Sequence, residues 1–215
     1  YNSLTRWNPF EHNMVDWFDA EWMFGIPDFD IVIANPPYLG EKGHKDLFRK
    51  IREDGLKDYY MGKMDLFYFF FHLAINLNRD GGVTTFITTN YYPTASGAKK
   101  LRKDIYERTQ IRELINFNEL KIFESALGQH NMITVLEKCK DDQPTLITLA
   151  QSGGLAGADT LAQLLAKDSP IATYSANSKD DLFDEDDYSI RFSGDDTEGS
   201  SAADLVLSKI KNNQY

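Results

Sequence analysis

Between residues 29 and 138, short apolar runs alternate with longer polar or amphipathic stretches. Phe29-Asp30-Ile31-Val32-Ile33-Ala34 is rich in β-branched residues and is bounded by Asn35-Pro36-Pro37. Such a run predicts a short strand buried on both faces, as in a parallel sheet, and two successive prolines end its ladder. Residues 39–60 are polar and basic without a sustained period, and predict a long loop with one helical turn near Asp46 to Arg52. Asp65 to Asn78 has the length and composition of a well-buried helix, ended by Asp80-Gly81-Gly82. Val83 to Thr88 predicts a second strand with Thr89-Asn90 as its exit, and Ala98 to Thr109 a charged amphipathic helix. Ile111 to Phe117 and Met132 to Glu137 are two further strand candidates, separated by an irregular segment. Upstream, residues 1–27 predict a loop with one short helix around Val15 to Phe24.

Strand, loop, helix, strand, helix, strand is the alternation of a doubly wound, Rossmann-like α/β sheet. In such sheets ligands sit beyond the carboxyl ends of the strands, and Asn35 occupies that place on the first strand. From about Cys139 the texture changes. Asp141-Asp142-Gln143-Pro144 reads as a boundary, Gln151 to Ala158 is rich in Gly and Ala, Leu161 to Leu165 predicts a short helix, and 177–201 an acidic loop. The expected organisation is one α/β unit over 1–140 and the start of a second domain or a linker over 141–215.

The net charge of -10 argues against a nucleic-acid partner until its distribution is considered. Residues 1–140 carry 18 Lys and Arg against 19 Asp and Glu, whereas 141–215 carry 5 against 14. The acidity belongs to the C-terminal third, concentrated in Asp180 to Asp187 and Asp195 to Glu198, and the rest is neutral with local basic clusters. The single Cys139 excludes a disulfide framework and any Cys-based metal cluster, and fits a reducing, cytoplasmic setting. Four His without regular spacing predict no metal site, and no apolar run reaches the roughly 18 residues of a membrane span. The chain opens on Tyr1 and not Met, which reads as a piece of a longer polypeptide.

The candidate chemistry lies in Asn35-Pro36-Pro37-Tyr38. The prolines fix their own φ angles and push each preceding residue into extended geometry, so the carbonyls of the segment are held rigidly. An exocyclic amine on a planar base has a delocalised lone pair and is a poor nucleophile. If the Asn35 side-chain oxygen and the Pro36 carbonyl each accept one of its hydrogens, the nitrogen pyramidalises as it attacks, stabilised by fixed dipoles. Tyr38 offers an aromatic face to a base rotated out of a duplex. The plain structural reading is that Pro-Pro ends a strand and Tyr38 is core. The buried strand before, the Asp65 helix after and Gly81-Gly82 opening another strand favour the chemical one.

Phe29 to Lys138 resembles the catalytic half of N6-adenine DNA methyltransferases of restriction–modification systems, in the class marked by Asn-Pro-Pro-Tyr. It looks especially like the large single-chain enzymes that join methyltransferase, recognition and sometimes nuclease parts. The motifs are Phe-Asp-Ile-Val-Ile-Ala-Asn-Pro-Pro-Tyr at 29–38, Gly-Lys-Met-Asp-Leu-Phe at 62–67, Gly-Gly-Val-Thr-Thr-Phe-Ile-Thr-Thr-Asn at 81–90, and Phe123 with His130-Asn131-Met132-Ile133. The resemblance implies methyl transfer from S-adenosylmethionine to a flipped adenine in double-stranded DNA. Asn35 and Pro36 would hold the amine, Pro37 completes the catalytic motif, and Tyr38 would stack on the base. Phe123 would close the pocket, with His130 and Asn131 as rivals. Asp65 and Phe67 would approach the donor's adenosine, with Asp16 or Trp17 as a further contact. Alternatives stay open: Asp65 as a plain N-cap, Phe123 as core, Asp16 as a solvated loop acid. Lys42, His44, Lys45, Arg49, Lys50 and Arg52, directly after Tyr38, form a basic cluster placed to contact DNA phosphates, with Lys42, Lys45, Arg49 and Lys50 as its main candidates. Lys99, Lys100, Arg102 and Lys103 read as a solvated helix face.

The Gly-rich loop and ribose-binding acid of the family are absent: no Gly-x-Gly occurs in residues 1–140. The resemblance therefore implies the C-terminal half of a methyltransferase sheet followed by the start of a second, target-recognition domain, with the rest of the parent polypeptide upstream and downstream. Rival readings are a protein-glutamine N5 methyltransferase, since a side-chain amide also presents a planar NH2, and an inactive DNA-recognition or structural fragment.

Overall fold

A computed structural model describes residues 19–53, 55–124 and 130–192. In chain order the elements are α1 (Ala20–Phe24), β1 (Phe29–Ala34), α2 (Lys45–Glu53), α3 (Leu66–Leu77), β2 (Asn78–Thr89), α4 (Lys99–Arg108), β3 (Gln110–Asn116), β4 (Leu120–Lys121), β5 (Asn131–Glu137), β6 (Thr145–Ala150), β7 (Gly154–Leu155), α5 (Ala158–Leu165), β8 (Ala172–Asn177) and α6 (Lys179–Leu182). Six strands form one mixed sheet in the order β1-β2-β5-β3-β6-β8. β1 runs parallel to β2 and β3 parallel to β6, while β5 is antiparallel to both β2 and β3, and β8 antiparallel to β6. The carboxyl ends of β1, β2, β3 and β6 and the amino end of β5 therefore share one edge. The α/β class expected from the alternation is the one observed.

α3 and α4 cover one face of the sheet. The α3 sequence LFYFFFHLAINL is apolar nearly all round, as a helix sunk in a core must be. Phe67, Phe71 and Ile75 pack with Phe86 of β2, Leu101 and Ile105 of α4 and Leu114 of β3 in one cluster. Burying each such side chain contributes roughly 1.5–3 kcal/mol. On the other face α5 reaches only the far side, where Leu164 joins Ile115, Phe117 and Ala150.

Several expectations are corrected. β1 is an edge strand, and Ile31 and Ile33 are 65% and 76% exposed, because no described helix covers that part of the sheet. Gly81 and Gly82 do not end α3: the chain passes from Leu77 straight into β2 at Asn78, and the glycines lie within the strand. Gly81 has φ of 75°, and a Cβ at 82 would stand 2.9 Å from the carbonyl oxygens of Arg79 and Phe29, so the register shift beside β1 needs both to be glycine. The change of composition at residue 140 is no break in the sheet, because β6 pairs with β3. The acidic stretch is no plain loop either: α6 falls within it, and Leu182, Phe183 and Ile190 are buried in the main core. Arg102, expected on a solvated face, has no exposed surface. Its guanidinium donates to the carbonyls of Tyr92, Ala95 and Asp187, tying the loop after β2 to the acidic segment. Among the described residues no helix is long and apolar enough to cross a membrane.

Candidate active site

The shared strand edge gathers polar side chains that the sequence scatters over a hundred positions. Asn35 leaves the end of β1 exposed while Pro36 is buried, so the proline anchors the turn and the amide projects from it. The half-buried Tyr38 folds back, and its hydroxyl lies 2.7 Å from Asn35 Oδ1 and 3.0 Å from the carbonyl of Ile87 in β2. A phenol has one proton to donate, so these two acceptors compete for it. Asn35 Oδ1 has two lone pairs, and the Tyr38 bond fixes its orientation while leaving one pair for a ligand. Burial pushes the Tyr38 hydroxyl above its ordinary pKa, the nearby Asn131 amide opposes the rise, and the Asp65 charge adds to it. The ring is held edge-on at 6.0 Å by Phe67.

Asp65 is the splint of this turn. Its Oδ1 accepts from the amide of Leu39 at 3.0 Å and caps α3 through the amide of Phe67 at 3.4 Å. The Leu39 carbonyl in turn takes the amide of Leu66. Burial raises the Asp65 pKa, partly offset by those amides. Within the described residues no hydrogen bond occupies the Pro36 carbonyl.

Further along the edge, Asn131 is 2% exposed and its Nδ2 has no hydrogen-bond partner. Asn90, at the exit of β2, donates to Asn116 Oδ1 at 2.9 Å, which also accepts the amide of Asn118. Asn118 has φ of 48° and bonds the Ala150 carbonyl, while its own carbonyl meets His130 Nδ1 at 2.8 Å. His130 is thus turned toward Asn118 and the edge of Tyr91, 6.3 Å away. Phe123 is partly buried in the segment after β4. Of the expected base-pocket residues, Asn131 is thus the one near enough to Tyr38 to lower its hydroxyl pKa, while His130 is engaged by Asn118. Asn116 escaped the sequence reading, and Asn90 entered it only as the exit of a strand and the end of a motif, although each is a polar residue closing an apolar strand. The Ile87 carbonyl carries no sequence signal at all.

The donor-side candidates fit less well. Phe67 is fully buried and packs edge-on against Tyr38, so it presents no surface to a ligand in this conformation. Asp65 gives its Oδ1 to two backbone amides, and Asp16 lies outside the described residues, as does Trp17. The described residues thus contain no complete cradle for S-adenosylmethionine. Of the basic residues expected to meet phosphates, Lys42, Lys45 and Arg52 line a cavity beside Gly40, together with Lys63, which was not among the candidates. Arg49 instead pairs with Asp46 in full solvent at 3.0 Å, worth at most about 1 kcal/mol, and Lys50 lies outside that lining.

The fold is similar to that of solved methyltransferase subunits from restriction–modification systems. A solved methyltransferase subunit of the type I restriction–modification system from Streptococcus thermophilus superposes with a TM-score of 0.56 at 16% identity, over 83% of this chain and 40% of that one. Residues 3–123 match the family model of the Eco57I restriction-modification methylase, and the chain belongs to that family. It is 33% identical over 102 residues to the type II methyltransferase M.HincII of Haemophilus influenzae, covering 46% of this chain and 20% of that protein. It is 26% identical over 100 residues to the type II restriction enzyme and methyltransferase RM.Eco57I of Escherichia coli, covering 45% and 10% respectively. The chain spans a fifth or less of the length of these two relatives.

Proposed function

We propose that this chain is the base-holding part of a DNA methyltransferase that modifies adenine at N6, and that Asn35 to Tyr38 receive the flipped base. The observation that carries the reading is the Tyr38–Asn35 hydrogen bond, which fixes an exposed amide oxygen at the end of a parallel strand beside a rigid diproline turn. The exocyclic amine donates one hydrogen to the remaining lone pair of Asn35 Oδ1 and the other to the Pro36 carbonyl. Both acceptors strengthen as the nitrogen gains positive charge, so they act mainly on the transition state. Tyr38 stacks on the base from a ring pinned by Phe67, and the unpartnered Asn131 amide supplies a donor on the pocket floor. S-adenosylmethionine supplies an electrophilic methyl group; its binding residues are assigned outside the described part of the chain. Since β6 and β8 complete the sheet and Ile190 packs in its core, the target-recognition part begins, in this reading, after residue 192.

Family membership and the cationic cavity next to the turn favour DNA over a protein glutamine as substrate. The test is product analysis: host DNA modified by the full-length protein is digested to nucleosides and examined by mass spectrometry. N6-methyladenine in DNA is expected. Methylcytosine in the DNA, or methylglutamine in protein with unmodified DNA, overturns the reading.

A further inference from the structure

The turn that begins at Asn35 leads directly into a cavity of about 800 Å³, whose wall carries Lys42, Lys45, Arg52 and Lys63 against a single acid, Glu41. In a chain of net charge -10 this is an unusual concentration of cations. Two separate segments build it. Lys45 and Arg52 lie seven residues apart and so on one face of α2, while Lys63 comes from the turn before α3. Lys63 has φ of 51° and follows Gly62 at 89°, an arrangement that a non-glycine residue adopts only under constraint. The constraint is visible: a Cβ on Gly97 would stand 2.0 Å from the Lys63 carbonyl, so the turn is pressed against the loop before α4.

Glu41 offsets one of the four positive charges and leaves the cavity net cationic. Its Oε1 receives the Tyr60 hydroxyl at 2.5 Å and its Oε2 the Met64 amide at 3.4 Å. Burial pushes its pKa up, but those donors and the Lys63 amide outweigh it and hold Glu41 ionised. Its oxygens are thus occupied by the scaffold, and its role is to fold the turn. Among the described residues, Lys42, Lys45, Arg52 and Lys63 have no carboxylate within ion-pair distance. Arg52 stands over the Tyr60 ring at 5.4 Å, which stiffens its guanidinium.

We propose that this cavity is a phosphodiester clamp, taking the sugar–phosphate backbone of the strand whose base has been everted toward Asn35. The inference rests on the base-holding reading and extends it to a site two residues beyond Tyr38. A flipped nucleotide must have its flanking phosphates displaced and held, and a bowl of preassembled cations does so without reading sequence. A Cβ at Gly40 would meet nothing within 4 Å, so the backbone there is open to close approach.

The test uses the full-length protein and a duplex containing its site, with affinity followed against salt. Lys42→Gln combined with Lys63→Gln removes two exposed cations and is expected to make the slope of log Kobs on log[salt] shallower by about 1.8. The paired-off Arg49→Gln is expected to change it by much less. A scan of single methylphosphonates around the target base then locates the contact. Wild type is expected to lose affinity at one or two positions next to that base, and the double variant to be indifferent to the same substitutions. A base analogue at the target still reports eversion in the variant at saturating protein. If Arg49→Gln shifts the slope as much as the double variant, or the methylphosphonate effects persist in it, the clamp is refuted. In that case an Asn35→Ala loss of methylation with unimpaired duplex binding leaves the base-holding reading standing. No duplex binding by wild type overturns both.

Discussion

Replacing Tyr38 by Phe separates the two jobs assigned to this residue. The ring stays, supported edge-on by Phe67, but the hydroxyl that bonds Asn35 Oδ1 at 2.7 Å and the Ile87 carbonyl at 3.0 Å is removed. A neutral hydrogen bond contributes about 0.5–1.5 kcal/mol net, which is roughly 2- to 13-fold in rate if it is needed to aim the Asn35 oxygen in the transition state. Stacking of the base is worth roughly 1–3 kcal/mol and survives in Phe but not in Ala. Single-turnover methylation by the full-length protein, paired with fluorescence of a base analogue at the target, reads both quantities. Tyr38→Phe is expected to slow the chemical step by up to about tenfold with the eversion signal intact. Tyr38→Ala loses the signal as well. A Phe variant as fast as wild type refutes the positioning of Asn35 by the hydroxyl. A Phe variant as poor as Ala in the fluorescence assay means that the ring is not the working part.

Arg102→Ala leaves the carbonyls of Tyr92, Ala95 and Asp187 without their donor in a buried site, and is expected to cost about 3 kcal/mol in denaturant unfolding; Arg102→Lys, lacking the planar fork, recovers only part. A loss below about 1 kcal/mol contradicts the account. His72 is fully buried with Nδ1 2.6 Å from Asp104 and Nε2 unpartnered, so burial holds its pKa below 6.5 despite the carboxylate. The unfolded chain then binds the extra proton, so this contribution is complete above about pH 6.5 and is lost as pH falls below it. Thermal melts between pH 7.5 and 5.5 should show a decline that is smaller in His72→Gln; equal slopes refute it. The isolated 215-residue chain should bind S-adenosylmethionine with a Kd well above the micromolar range in calorimetry, because Phe67 is buried and Asp65 is committed to its turn. Micromolar binding means that a donor site has gone unread.

The fold was legible where periodicity and punctuation agreed. The β1 run with its diproline stop, the long apolar α3 and the charged α4 each carry their own signal, and their alternation implies an α/β sheet. What failed depended on long-range partners. Apolar β-branched residues in β1 read as doubly buried, but burial is decided by what covers the strand, and Ile31 and Ile33 have no cover among the described residues. Gly81-Gly82 carries the same signal whether it ends a helix or allows a bulge against β1. Arg102 looks solvated in a run of Lys and Arg because its partners lie up to 85 residues away. At the candidate site, Asn35 to Tyr38 was readable because the proposed base-holding groups sit in consecutive residues. Asn131 was one of three pocket candidates, and its nearness to Tyr38 depends on the pairing of β5 with β2, which the sequence does not announce. Lys63 gave no hint, since its place depends on Gly97 across the fold.

The central claim is that Asn35 acts on the amine in the transition state. Its most direct test is Asn35→Ala in the full-length protein, compared with wild type in single-turnover methylation and in duplex binding. A fall in the chemical rate on the order of 10²-fold or more, with DNA affinity within a few-fold of wild type, is the expected result. A raised KM with an intact kcat would contradict it, because Asn35 would then contribute to binding and not to the transfer.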